Sequence, residues 1–215
     1  MKDYPLGVTG VDEDCFEPVK RRFLRNVEKS GVGYDALNSG PRELQKPRFA
    51  LHRAIVKSGD SVLDVGCGVG EFRLYLLSDG YKGEYVGFDI VEPFIDYCRQ
   101  NISGTFENRN LITSPPRSKY DCLIATQVFN SNFPNCSNLE VIRKLFEWSR
   151  SHIKKAVSVD FLSNKCGFYE DHLFFYSPEE MLELAQEYGD ATLYEGYAAS
   201  WEFCIQVRMR EAKQS

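Results

Sequence analysis

The regular alternation of strand-like and helix-like segments after residue 60 constrains the fold most strongly. Short apolar segments typical of buried strands occur at "SVLDVG", "EYVGFDI", "GTFENRN", "YDCLIATQVF" and "KAVSVDFLS". Amphipathic segments such as "GEFRLYLLSDG", "EPFIDYCRQN" and "NLEVIRKLFEWSRSH" lie between them. Strands joined through helices need right-handed crossovers, so this pattern predicts a parallel sheet covered by helices on both faces.

The C-terminal part follows a different pattern. "SPEEMLELAQEYG" is typical of a helix, with Ser177 as the N-cap, Pro178 at the first position and Glu180 completing a capping box. Two strand-like segments follow it, "ATLYEGYA" and "WEFCIQVRMR", with no helix between them. Because strands without a crossover pair antiparallel, we predict an α/β, Rossmann-like mixed sheet of seven strands. The first five are parallel, and the last pair contains one antiparallel strand.

The N-terminal segment predicts an amphipathic helix from about residue 15 to 29. Apolar residues recur there at helical spacing, and Gly31 ends the pattern. The opposite face carries four basic residues, Lys20, Arg21, Arg22 and Arg25. We expect this basic face to be solvated. A loop rich in Gly, Pro, Asn and Ser follows, and a second helix is expected in "RFALHRAIVKSG", from residue 48.

Composition restricts the class of protein. The 215 residues are 43% hydrophobic and 27% charged, as in ordinary soluble proteins. No apolar run is long enough to span a bilayer, and the N-terminus lacks the apolar core of a signal peptide, so we expect a cytoplasmic protein without a membrane partner. The net charge of −5 argues against a nucleic-acid partner. The seven cysteines form no C-x-x-C pair and the three histidines are scattered, so no metal site is expected.

The stretch "VLDVGCGVG" at residues 62–70 ends the first predicted strand with three alternate glycines. Loops at this place in a parallel α/β sheet bind ligands, and glycine allows a close backbone approach. The spacing matches neither the G-x-G-x-x-G dinucleotide fingerprint, because Glu71 or Arg73 occupies the last position, nor the phosphate-binding P-loop. Asp64 would repel a phosphate beside the loop and would favour a cation.

This stretch resembles motif I of the class I S-adenosylmethionine-dependent methyltransferases, and the resemblance extends over roughly residues 48–208. It implies S-adenosylmethionine as cofactor, S-adenosylhomocysteine as product, and an N-terminal helix and lid segment at 1–47 before a methyltransferase domain at 48–215. The resemblance also implies that the glycine loop passes under the methionine portion and that Asp64 holds its ammonium group. Asp89, at the end of "YVGFDI", would reach the ribose diol.

The resemblance also implies further cofactor contacts. At the end of the third strand, Asn110 would accept a hydrogen bond from the adenine amino group through its amide oxygen. In the loop before the sheet, Arg42 would pair with the cofactor carboxylate or an anionic acceptor. The full predicted cofactor set is Asp64, Gly66, Cys67, Gly68, Gly70, Asp89, Ile90, Asn110, Leu111, Thr126, Gln127 and Arg42.

Two loop segments are candidates for the acceptor side, "YDALNSGPREL" at 34–44 and the aromatic, acidic stretch at 160–180. His172 beside Asp171 is the candidate base, with Tyr169 as a third catalytic residue. The predicted acceptor-binding residues are Tyr34, Asn38, Asn130, Phe168 and Phe175. The alternative is that these aromatic residues only cap the core.

These patterns predict a methyltransferase that acts on an oxygen or nitrogen of a small-molecule acceptor, as a monomer or homodimer. Two alternatives remain open at this point. One is an RNA or protein methyltransferase that uses the basic face of the first helix, and the other is a non-catalytic module that only binds S-adenosylmethionine. Fold-level analogy supports the class of chemistry and does not identify the acceptor.

Overall fold

The computed structural model describes residues 10–210. The N-terminal segment, for which the sequence predicts no signal peptide, lies partly outside this range. Seven strands form one sheet in the order β3-β2-β1-β4-β5-β7-β6. The strands are β1 (Val62–Val65), β2 (Tyr85–Asp89), β3 (Thr105–Asn108), β4 (Tyr120–Ala125), β5 (Ile153–Leu162), β6 (Gly189–Glu195) and β7 (Glu202–Met209).

Strand directions confirm the predicted mixed sheet. The pairs β1–β2, β1–β4, β2–β3 and β4–β5 are parallel, whereas β7 runs antiparallel to both of its neighbours, β5 and β6. The final strand is therefore inserted between β5 and β6. Because the first five strands are parallel, their carboxyl ends lie at the same edge of the sheet.

Helices cover both faces of the sheet within the described residues. They are α1 (Glu17–Ser30), α2 (Tyr34–Leu37), α3 (Gln45–Arg53), α4 (Glu71–Ser78), α5 (Glu92–Asn101), α6 (Asn138–His152) and α7 (Pro178–Gln186). Alternation along β4 shows the two layers, because Leu123 belongs to the apolar cluster that includes α6 and α7, whereas Ile124 belongs to the cluster that includes α3, α4 and α5. None of the described helices is long and apolar enough to cross a membrane.

The local start and stop signals agree with the structure at α1 and α7. Pro18 lies in the first turn of α1, and Gly31 ends the helix with a φ of 76°. At α7, the Ser177 hydroxyl accepts a hydrogen bond from the Glu180 amide at 3.2 Å, as an N-cap does. The second predicted helix differs from expectation. It begins at Gln45 and ends at Arg53. The residues after it form a turn in which the Asp60 carboxylate accepts the Lys57 amide at 2.8 Å.

The N-terminal helix packs across the carboxyl edge of the sheet. The rings of Phe16 and Phe133 lie 5.1 Å apart, and those of Phe23 and Phe94 lie 6.2 Å apart. The expectation of a fully solvated basic face is wrong for one residue. Half-buried Arg22 donates to Ser131 Oγ at 2.7 Å and to the His172 carbonyl at 3.0 Å. This contact connects α1 to two loops that are more than 100 positions away in the chain.

Helix α6 offers a matched test of the packing. Leu145 has no exposed surface, whereas Leu139 in the same helix is 39% exposed. Truncation of a buried leucine leaves a cavity, so Leu145→Ala should lower the free energy of unfolding by about 2–5 kcal/mol, and Leu139→Ala by less than about 0.5 kcal/mol. Urea denaturation of both variants measures this difference. Equal losses would contradict the assignment of the buried face.

Candidate functional site

A cavity of about 1140 Å³, counting the part that is open to solvent, lies at the carboxyl edge of the sheet. The glycine loop after β1 and the ends of β2, β3 and β4 form one side, and α1 covers the other. Ten of the twelve predicted cofactor residues line it: Asp64, Gly66, Cys67, Gly68, Asp89, Ile90, Asn110, Leu111, Thr126 and Gln127. The structure thus gathers residues from four strand ends around one space.

Two glycines of the loop have different surroundings. Gly68 has a φ of 53°, and an added Cβ would lie 2.7 Å from Leu37 Cδ2 of α2, which also lines the cavity. Gly70 precedes α4 with a φ of 76°, and its Cβ would lie 2.6 Å from Ile102 Cδ1 and 3.2 Å from Cys98 Sγ. Gly70 therefore packs the loop against α5 and is not among the residues that line the cavity.

Asp64 is a buried acid at the centre of the site, with 2% of its surface exposed. The Tyr85 hydroxyl donates a hydrogen bond of 2.5 Å to Asp64 Oδ2. Burial raises the pKa of Asp64 to about 7, the Tyr85 hydrogen bond opposes this shift, and the nearby Asp89 charge adds to it. A cation beside Asp64 would restore the carboxylate.

Asp89 connects the end of β2 to the glycine loop. Its Oδ2 accepts the Gly68 amide at 2.9 Å, and its Oδ1 accepts the Val91 amide at 2.9 Å. Burial raises the pKa of Asp89 to about 6, and the hydrogen bonds from backbone amides oppose the rise. These two bonds hold the loop in one position relative to β2.

Two buried polar atoms of the cavity wall have no hydrogen-bond partner among the described residues. They are Asn110 Nδ2 and Thr126 Oγ1. Buried polar groups are almost always hydrogen-bonded, so such atoms indicate a polar ligand. The amide oxygen of Asn110 already accepts the Ile112 amide at 3.0 Å. The group of Asn110 without a partner is therefore a donor, which differs from the expectation that its oxygen would contact adenine.

Comparison with known proteins identifies the domain. Residues 56–160 match a family model described as a methyltransferase domain. This domain is a class I S-adenosylmethionine-dependent methyltransferase. The match begins before β1 and ends within β5, so it contains the glycine loop and all ten cavity residues named above.

Solved structures show the same fold over most of the methyltransferase chain. The 1,6-didemethyltoxoflavin-N1-methyltransferase of Burkholderia thailandensis has 13% identity and a TM-score of 0.69, with 97% of this chain and 93% of that chain covered. The N-methyltransferase NodS of Bradyrhizobium japonicum has 11% identity and a TM-score of 0.66, covering 93% and 100%. Magnesium protoporphyrin IX methyltransferase of Synechocystis has 16% identity and a TM-score of 0.64, covering 92% and 97%. These identities support the fold alone.

Arg42 and the predicted acceptor residues of the first loop lie beside the cavity of the methyltransferase without lining it. Exposed Arg42 lies 3.3 Å from Glu71 Oε1 and stacks over the ring of Tyr34. The Tyr34 hydroxyl donates to the Gly40 carbonyl at 3.0 Å, and Asn38 ends α2 in the left-handed region. Their neighbours Leu37 and Ser39 do line the cavity.

The second predicted acceptor segment also lies outside the cavity lining. Phe168, Tyr169 and Phe175 form an aromatic cluster with ring centroids 5.5 and 5.9 Å apart. The nearest carboxylate to the His172 ring belongs to Glu170, at 3.5 Å, rather than to the expected Asp171. The Asp171 carbonyl accepts from Asn132 at 3.3 Å. The base and acceptor roles of this segment stay predictions.

Sequence reasoning missed part of the cavity wall. Phe16, the N-cap of α1, lines the cavity together with Val19 and Phe23 of that helix, and so does Arg48 of α3. Buried Arg48 makes a two-pronged ion pair with Glu202 of β7, with Nε to Oε2 at 2.9 Å. Helical periodicity identified the apolar face of α1 but could not show that this face covers a ligand site. No local signal connects Arg48 to a residue 154 positions away.

The buried Asp64 makes the stability of the methyltransferase depend on pH. An unfolded Asp has a pKa near 3.9, whereas the folded value is about 7. Because the folded pKa is higher, this stabilising contribution is complete below pH 4 and is lost as the pH rises through 7. Between pH 5 and 8 the wild type should lose about 2–3 kcal/mol that Asp64→Asn does not lose. Urea unfolding of both proteins at the two pH values tests this, and parallel pH profiles would contradict it.

Proposed function

We propose that this protein transfers the methyl group of S-adenosylmethionine to an oxygen or nitrogen of a small-molecule acceptor. The observation that carries the proposal is the covered cavity, in which acids from β1 and β2 share one space with polar groups from β3 and β4 under the apolar face of α1. Concave sites with a few convergent polar groups on an apolar wall, at the carboxyl edge of an α/β sheet, are typical of small-molecule binding.

The cavity residues fit the cofactor by charge and hydrogen bonding. Asp64 is a buried acid suited to an ammonium group, and Asp89 is suited to a ribose diol through its remaining acceptor positions. The unpartnered amide of Asn110 would donate to an adenine ring nitrogen, and the Thr126 hydroxyl would serve the methionine portion. The glycine loop forms the side of the cavity at the end of β1, through Gly66, Cys67 and Gly68.

Methyl transfer is a displacement at carbon, and the bound cofactor supplies the electrophilic methyl group on its sulfonium. The chain then has to align the acceptor with that methyl and to exclude water. The side chains of Phe16, Val19 and Phe23 suit the second task, because they close the cavity with apolar surface. Residues 1–47 are predicted to contain a lid. We propose that α1 is part of this lid and covers the bound ligands.

Several observations support a small acceptor over a macromolecule. The apolar face of α1 lines the cavity, and Arg22 on the basic face of that helix is occupied by Ser131 and His172. The net charge of −5 also disfavours binding to a nucleic acid. Two proteins of the same fold are named for small molecules, magnesium protoporphyrin IX and 1,6-didemethyltoxoflavin.

The base predicted for an oxygen acceptor is His172, supported by Tyr169 and Asp171. Arg22 and the Asn132 amide both donate to the His172 carbonyl, so the backbone of this segment is held against α1 and against the loop after β4. The loop after β4 that contains Asn132 also contains Gln127, which lines the cavity. The proposal therefore keeps His172 as the candidate base for an acceptor that has to lose a proton.

Calorimetric titration tests the cofactor assignment. Wild-type protein should bind S-adenosylmethionine and S-adenosylhomocysteine but not NAD. Asp89→Asn should weaken both affinities about 10- to 100-fold, because a charged acceptor is lost. Asp96→Asn, an exposed acid on α5, is the matched control and should leave both affinities unchanged. Failure of the folded wild type to bind either compound would refute the proposal.

A labelling experiment tests the size class of the acceptor. Purified protein is incubated with S-adenosylmethionine carrying a radioactive methyl group and a cell extract, and the products are separated by ultrafiltration. After chromatography has removed unreacted S-adenosylmethionine from the filtrate, the label should appear in a new small-molecule product, at least about tenfold above the Asp89→Asn control. Label retained with RNA or protein would favour the macromolecular alternative, and cofactor binding without any transfer would favour the non-catalytic one.

A further inference from the structure

A polar cluster is buried between α3 and the sheet, next to the cavity but not part of its lining. His52 on α3 and Asp160 and Ser158 on β5 have no exposed surface. His52 Nδ1 lies 2.7 Å from Ser158 Oγ, and His52 Nε2 lies 3.1 Å from Asp160 Oδ2. Burying such groups is unfavourable unless every one of them is hydrogen-bonded. All three side chains of the cluster are hydrogen-bonded, as this burial requires.

The hydrogen bonds indicate the direction in which this cluster acts. A carboxylate oxygen only accepts, so the contact with Asp160 Oδ2 assigns the ring hydrogen to His52 Nε2. His52 Nδ1 then accepts from the Ser158 hydroxyl, whose oxygen accepts from Gln206 Nε2 at 3.3 Å and lies 3.4 Å from Cys204 Sγ. This arrangement fixes the orientation of the Asp160 carboxylate and leaves its other oxygen, Oδ1, for a second partner.

The second partner is Gln127, at the end of β4. Asp160 Oδ1 accepts the Gln127 backbone amide at 2.6 Å and lies 3.3 Å from the side-chain Nε2. Gln127 has a φ of 60°, in the left-handed region that non-glycine residues seldom adopt. Such conformations persist only where the surroundings enforce them, and they concentrate at functional sites. The contact with Asp160 supplies that enforcement.

The side chain of Gln127 is held from its other end as well. Its Oε1 accepts from Asn130 Nδ2 at 3.0 Å, and Asn130 Oδ1 accepts the Leu162 amide at 2.9 Å. Gln127 lines the cavity beside Thr126. A continuous set of hydrogen bonds thus runs from α3 through β5 to a cavity residue. Within residues 10–210 the second Nε2 hydrogen of Gln127 has no acceptor, so it is available to a ligand.

From this geometry we infer that Asp160 and His52 are positioning residues, which hold Gln127 so that its amide orients the acceptor at the β4 end of the cavity. This role replaces the cofactor contact predicted for Gln127 from the sequence. The inference rests on the proposed function for the identity of the reaction. Neither Asp160 nor His52 lines the cavity, so both act through Gln127. The cofactor end of the cavity, around Asp64 and Asp89, does not depend on this set of hydrogen bonds.

The first test is structural and needs no substrate. In ¹⁵N-labelled protein, the short bond to a carboxylate should shift the Gln127 amide proton downfield and slow its exchange. Asp160→Asn should move that proton upfield by at least about 1 ppm and speed its exchange at least about tenfold. Ser158→Ala should produce the same change to a smaller degree. Ser149→Ala, a buried serine on α6, is the control and should change neither value.

The second test uses the labelled-methyl assay with the cofactor titration. Asp160→Asn should lower methyl transfer at least about tenfold while the affinity for S-adenosylhomocysteine changes less than about threefold. Gln127→Ala should give a similar loss, and adding Asp160→Asn to it should cost little more, because both act through one side chain. A purely structural role would instead give additive losses.

The two tests distinguish a failure of the positioning role from a failure of the proposed function. If the Gln127 amide does not move in folded Asp160→Asn, or if the activity losses are additive, the positioning role is wrong. Should Asp160→Asn not fold, Ser158→Ala decides, and an unshifted Gln127 amide in that variant is the overturning result. If the amide shifts as expected but the wild type binds no S-adenosylmethionine, the proposed function fails, and the hydrogen-bonded connection to Gln127 still stands.

Discussion

The burial of two neighbouring carboxylates, Asp64 and Asp89, is the constraint on which the site depends. Neither forms an ion pair with a described basic side chain, and burial raises the pKa of both into the range from about 6 to about 7. Hydrogen bonds from Tyr85, Gly68 and Val91 offset part of the free-energy cost of burying the two carboxylates. A cationic ligand would offset more of this cost. The free protein is thus less stable near neutral pH than the same fold with a cation beside Asp64.

The layout of the sheet and the glycine loop could be predicted because both depend on local pattern. Alternating apolar and amphipathic segments specify crossovers, and crossovers specify parallel neighbours. An acid at the end of each of the first two strands then lies at the same sheet edge, and Asp64 and Asp89 both line one cavity. The antiparallel pairing of β6 with β7 follows from the missing helix between them. The position of β7 between β5 and β6 does not follow from that pattern.

The remaining features depend on contacts between distant parts of the chain. Gly70 shares its spacing with Gly68, yet only the fold shows that it packs on Cys98 and Ile102 rather than lining the cavity. The basic face of α1 appears solvated on a helical projection, but Arg22 reaches two loops. The donor orientation of Asn110 depends on a turn with Ile112. Periodicity carries no information about such partners.

The two ends of the cavity differ in charge, and this difference bears on the acceptor. At the β1 end the acids lack basic partners, so that end favours a cation. At the α3 end, Arg48 is paired with Glu202, and the Asp160 carboxylate accepts hydrogen bonds from His52 and Gln127, so each of these groups already has a partner. A charged acceptor would find no unpaired opposite charge there to offset its desolvation. Under the proposed function, this end would therefore take an uncharged acceptor, oriented by the amide of Gln127 against the apolar wall of α1.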